Sequence, residues 1–146
     1  MGDAVAAFLD RYRLLGLDGS PCSDNDIALM EREANVALPA AYKAYLLVAG
    51  QNPPSAWVGS DCTINYLPKL AAWAEGLLAE CNQPALPEQA FVFLMHQGYQ
   101  FFYFISDGSS DDPPVFYYHE GEPETVKRFE RFSDLVDICA SDRNSA

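Results

Sequence analysis

The chain has 146 residues and 16.1 kDa, enough for one domain to bury roughly 68–70% of its unfolded surface without metal or disulfide support. Hydrophobic residues are 49% and aromatics 13%, which excludes a disordered chain. The formal net charge of −12, from 21 acids against 9 Lys and Arg, argues against nucleic acid or an anionic membrane as a direct ligand.

The first element is a helix over Ala4–Leu15, with Val5, Phe8, Leu9, Tyr12 and Leu15 at helical spacing. Gly16 and Gly19-Ser20-Pro21 break it. Ser23 is a good N-cap for a second helix running to about Asn35, with Asp24 and Asp26 favourably placed in its first turn. Leu38-Pro39 opens a third helix, because a proline in the first turn loses no helical hydrogen bond. Tyr42, Tyr45, Leu46 and Ala49 form its apolar stripe, and Gly50 is placed to end it. Residues 51–63 are rich in Pro, Gly and Ser, with a short strand expected at Trp57-Val58. Tyr66–Cys81 is a fourth amphipathic helix, its apolar side assigned to Leu67, Leu70, Trp73, Leu77 and Leu78.

The second half changes character. Ala90–Met95 and Tyr99–Ile105 are dense in Phe, Tyr and Val around His96-Gln97-Gly98, the pattern of a hairpin. Ser106–Pro114 is a polar loop, Val115–His119 a strand, and Gly121–Thr125 a turn. Val126–Phe132 is a further short strand, followed by a last helix capped by Ser133, and Asp142–Ala146 is a polar tail expected to fray. Helices first and strands later predict an α+β fold: one domain over 1–146 with a mainly antiparallel sheet and helices packed around it.

No basic region followed by an apolar stretch opens the chain, so a cytoplasmic location is expected. Cys22, Cys62, Cys81 and Cys139 match neither a C-x-x-C pair nor a zinc pattern, and are read as reduced packing residues. His96 and His119, the two histidines, have no nucleophile motif to serve and are read as turn and strand-end residues. Asp107, Asp111 and Asp112 do not fit the D-x-D-x-D-G calcium spacing. The expectation is therefore a non-catalytic chain with no cofactor and no metal.

Two stretches together resemble the SUKH superfamily, which includes the fungal Smi/Knr regulators of cell-wall synthesis. The first is Ile27 to Glu31, then Leu38-Pro39, Tyr42, Tyr45-Leu46-Leu47 and Ala49-Gly50. The second is Phe93-Leu94 to Gly98-Tyr99, Phe101 to Phe104, and Asp112-Pro113-Pro114-Val115. Phe132 to Leu135 is similar to the family's closing F-x-x-L, so the likeness spans about residues 23–139. The resemblance implies a protein-binding domain. Bacterial members are mostly immunity proteins that neutralise a partner toxin, commonly a nuclease; the fungal members imply the alternative, a scaffold that binds a host protein.

Charge placement suggests where a partner docks. No Lys or Arg occurs from Leu70 to Val126, a span that holds nine acids. Asp107, Asp111, Asp112, Glu120, Glu122 and Glu124 are candidates for a face that attracts a basic toxin domain. Trp57, in a Pro/Gly/Ser loop, is a candidate anchor. Of Tyr117 and Tyr118 one ring must leave the core, and Tyr118 is assigned to the partner. The run Phe101–Phe104 has too many rings for a strand with one wet face, which favours burial on both faces.

Overall fold

The computed structural model describes residues 3–15, 20–51, 60–64 and 66–145, the side chains of residue 60 and of residues 139–145 excepted. Its helices are α1 (Asp3–Leu14), α2 (Asp24–Ala34), α3 (Ala40–Ala49), α4 (Leu67–Glu80) and α5 (Phe132–Ser145). Its strands are β1 (Ser60–Asp61), β2 (Ala90–His96), β3 (Gln100–Ile105), β4 (Val115–His119) and β5 (Val126–Phe129). They form one antiparallel sheet in the order β1-β2-β3-β4-β5. The α+β reading holds. Trp57-Val58 lies outside the described residues, and the last helix carries helical backbone to Ser145, into the stretch expected to fray.

Local chemistry explains the boundaries. Ser23 and Asp26 form a reciprocal capping box at the start of α2, and Asn35 ends that helix in the left-handed conformation at φ 54°. Gln97 at φ 52° and Gly98 at φ 82° are the central residues of the turn within the three-residue connection between β2 and β3, with the Tyr99 N–H donating to the His96 carbonyl at 3.2 Å. Positive φ at both central residues gives the turn whose twist matches a hairpin. Gly50 ends α3 as expected, but for another reason. Its φ is −67°, and a Cβ there would stand 2.3 Å from the Cys22 Sγ, so close approach selects the glycine.

Phe101, Tyr103 and Phe104 of the aromatic run are buried and Phe102 is half-buried, so both faces of the strand are covered, as its composition predicts. Strand alternation sends Phe104 to one face, where it meets Phe91, Phe93, Tyr42 of α3 and Phe132 of α5 at ring-centroid distances of 5.2–6.0 Å. Phe101, Tyr103 and Tyr118 turn to the opposite face, which α4 and the 82–89 loop cover. α1 packs on α3, where the Tyr12 hydroxyl donates to the Ala41 carbonyl at 2.9 Å. Cys22, Cys62 and Cys81 are free thiols; burial pushes Cys22 up to about 11 and Cys62 up to about 12, so neither is a nucleophile at neutral pH.

The motif residues act as fasteners. The Glu31 carboxylate accepts the Leu38 N–H at 2.9 Å and pairs with Lys43 at 3.3 Å, so it closes the connection between α2 and α3. That explains why a glutamate at the end of α2 accompanies Leu-Pro ahead of α3. Tyr42, three residues after Pro39, is the ring around which both halves pack.

Candidate protein-binding surface

The 106–114 loop is held inward. The Ser106 hydroxyl donates to the Ala37 carbonyl at 2.7 Å, and Asp107 forms a parallel bridge with Ala37. The Asp107 carboxylate folds back to accept the Ser109 N–H at 2.9 Å, and its hydrogen bonds to Ser109 hold its carboxyl below the usual range. The Asp111 carbonyl accepts the Ala41 N–H at 2.8 Å, satisfying a first-turn donor of α3 that Pro39 has no side-chain group to cap. The half-buried Asp112 carboxylate accepts the Ser133 N–H at 2.9 Å and also the Ser133 hydroxyl, while the Pro113 carbonyl accepts the Phe132 N–H at 2.8 Å.

These bonds correct two expectations. Ser133 does not cap the last helix; it lies in the first turn and is itself bonded by Asp112, 21 residues earlier in the chain. Asp112 is accordingly a helix cap, well placed against the positive end of α5, and not a free docking charge. Tyr118, expected to face the partner, faces the core instead. It is fully buried, and its hydroxyl donates to the Glu122 carbonyl at 3.1 Å. Burial, with the Cys81 thiol beside it, raises its phenol well above the ordinary value. Tyr117 faces the other way, half-buried, with its hydroxyl on Gln100 and the Arg128 guanidinium 5.3 Å above its ring.

The 120–125 turn has the opposite character. Its backbone is braced, with the Glu120 N–H on the Tyr99 carbonyl at 2.8 Å and the Glu122 N–H on the His119 carbonyl at 3.0 Å. The side chains of Glu120, Glu122 and Glu124 are exposed and make no hydrogen bond or ion pair among the described residues. The two acidic segments flank one strand. They leave opposite ends of β4, a strand of five residues whose ends stand about 13 Å apart. Trp57 lies outside the described residues.

Two further features escaped the residue pattern. Trp73 is 42% exposed and Tyr66 43%, their rings 6.4 Å apart on the outside of α4. The stripe that packs on the sheet is Leu67, Leu70, Ala74, Leu77 and Leu78, so strict i, i+3, i+7 spacing from Leu67 selects Ala74 and excludes Trp73. The second feature is a cleft of about 470 Å³ between the 83–87 loop and the 123–125 turn, with Leu78 and Tyr103 in its floor. Nothing in the sequence joins those two loops.

Among the described residues no group of three or more His, Cys, Asp or Glu side chains is arranged to hold a metal ion, and no helix is long and apolar enough to cross a membrane. His96 and His119 flank the Tyr99 ring at 5.7 and 5.3 Å, and the His119 Nδ1 lies 2.9 Å from the Glu120 carbonyl oxygen. The family model described as SMI1 / KNR4 family (SUKH-1) matches residues 21–138. No curated protein matches the chain.

Proposed function

The chain belongs to the SMI1 / KNR4 family (SUKH-1), and from that premise we propose that it is a non-catalytic binding protein that neutralises a basic toxin domain, of nuclease type, in the cytoplasm. The observation that carries the reading is the 120–125 turn: three exposed carboxylates on a backbone fixed by Tyr99, His119 and Tyr118. A fixed array of like charge raises a local negative potential similar to that of a phosphate backbone, so the basic groups with which a nuclease meets nucleic acid also meet the inhibitor. Glu120, Glu122 and Glu124 are the docking charges in this reading. Asp107 and Asp111 stand at the other end of β4 and contribute only long-range attraction, largely screened beyond about 8 Å at physiological salt. Tyr66 and Trp73 are of the residue types that anchor interfaces.

A second reading, a scaffold domain that binds a host protein, rests on the fungal members of the family. The two separate on one experiment. The product of the neighbouring gene is expressed alone and together with this chain, and growth and complex formation are measured. Toxicity relieved by a stable one-to-one complex supports neutralisation. A non-toxic neighbour, or toxicity that persists with both proteins present, overturns it.

A further inference from the structure

The cleft beside the acidic turn is built in a way that the turn alone does not explain. One wall is the loop after α4, which bonds hold at three places. The Gln83 N–H donates to the Leu78 carbonyl at 2.8 Å, the Leu86 N–H to the Glu75 carboxylate at 2.6 Å, and the Ser106 N–H to the Gln89 carbonyl at 2.8 Å. Pro84 and Pro87 stiffen the same wall. The facing wall is Pro123, Glu124 and Thr125, anchored from the core through the Tyr118 hydroxyl on the Glu122 carbonyl. Both walls are therefore set before any ligand arrives, which lowers the ordering cost of binding.

The chemistry of the lining is as specific as its rigidity. The floor is apolar: Leu78 and Tyr103 are 2% and 4% exposed, and Leu86 stands beside them. The lining carries one carboxylate, Glu124, and Glu122 stands two residues before it on the same braced turn. Every lining residue falls between Leu78 and Thr125, inside the span without Lys or Arg. The gap in basic residues along the sequence thus becomes, in space, a cleft whose walls offer a cation no competing positive charge.

We infer that this cleft is the specificity pocket of the docking surface, and that it takes an apolar side chain flanked by lysine or arginine on a segment of the basic partner. The apolar residue enters between Pro84 and Pro123 onto Tyr103, and the flanking cations meet Glu122 and Glu124. Long basic side chains suit the rim, because their methylenes can lie on the prolines while the charged ends reach the carboxylates. The inference rests on the basic-partner reading and adds what is recognised: an alternation of apolar and basic groups, beyond net positive charge.

The test uses the full chain, labelled with ¹⁵N, and two blocked pentapeptides as probes, Lys-Leu-Lys-Leu-Lys and Lys-Gly-Lys-Gly-Lys. Saturable amide shifts are expected at Leu86, Tyr103, Glu124 and Thr125 with the leucine peptide, which should bind at least fivefold more tightly than the glycine peptide. Glu124→Lys, at an exposed position, should weaken the leucine peptide at least fivefold. Ala85→Trp, which fills the cleft from its outer wall, should abolish its saturable shifts while leaving the rest of the spectrum folded. Equal affinity for the two peptides, or saturation centred away from the cleft, overturns the inference. If the neighbouring gene's basic product forms a tight complex whose affinity neither variant changes, the cleft assignment fails and the basic-partner reading stands. If that product does not bind at all, the reading beneath the inference fails.

Discussion

Residues 106–114 and 120–125 are twins in composition, each a polar stretch with three acids, a glycine and proline, and they flank the same strand. Their uses diverge. In the first, carboxylate and carbonyl groups turn inward to close the N-terminal turns of α3 and α5. In the second, only the backbone is tied down and three carboxylates stay in solvent. The difference comes from what lies beside each segment. Helix N-termini present unpaired N–H groups and a partial positive charge, and an acid within reach is drawn into them. The 120–125 turn meets a strand end and a hairpin, whose donors and acceptors its own backbone satisfies.

The contrast predicts unequal costs of substitution. Asp112→Ala removes the partner of both the Ser133 N–H and hydroxyl, and should lower unfolding stability by about 2 kcal/mol in urea denaturation. Glu120→Ala, Glu122→Ala and Glu124→Ala should each stay within about 0.5 kcal/mol of the parent. Equal losses in the two regions would break the comparison.

Tyr118→Phe probes the tie between the turn and the core. It deletes one buried hydrogen bond and should lose about 1 kcal/mol. The sharper readout is amide exchange, which should quicken around Glu122 more than around Asp107. Exchange that quickens equally at both would show that the turn is not braced through this hydroxyl.

The smallest effect is expected from Asp107. Its carboxyl is held low in the folded chain, so it favours folding at pH values above the ordinary carboxyl value of 3.8, and that contribution is lost as pH falls through the lower folded value. The group is fully exposed, so Asp107→Asn should shift the acid limb of unfolding slightly and leave stability at pH 7 nearly unchanged. An Asp111→Lys variant should also be nearly neutral in stability, since Asp111 works through its carbonyl.

The elements were legible because their signals are local. The Ser23 cap, the Gln97-Gly98 turn and the aromatic density of β2 and β3 each declare themselves within a few residues. The roles of the acidic segments are legible only in part. The gap in Lys and Arg points to Glu120, Glu122 and Glu124, which the structure leaves exposed, but it points equally to Asp112, whose use depends on α5, 20 residues later in the chain. Tyr117 and Tyr118 are chemically alike, and only strand register decides that Tyr118 is the ring that faces the core. Trp73 and Ala74 both lie near the apolar stripe of α4, and helical spacing from Leu67 favours Ala74. The cleft joins two loops about 40 residues apart in the chain, a pairing fixed by sheet order alone.

The most direct test of the division between the two acidic segments is the salt dependence of association with the proposed basic partner, measured by stopped flow at 50 and 200 mM salt. Two charge-reversed variants are compared with the parent: Glu120→Lys with Glu122→Lys and Glu124→Lys, and Asp107→Lys with Asp111→Lys. Rim charges act chiefly on the association rate. The turn variant should associate at least tenfold more slowly at 50 mM salt and lose most of its salt dependence, whereas the loop variant should stay within about threefold of the parent. A loop variant that slows association as much as the turn variant, or a turn variant that leaves the rate unchanged, would contradict the assignment of docking to residues 120–125.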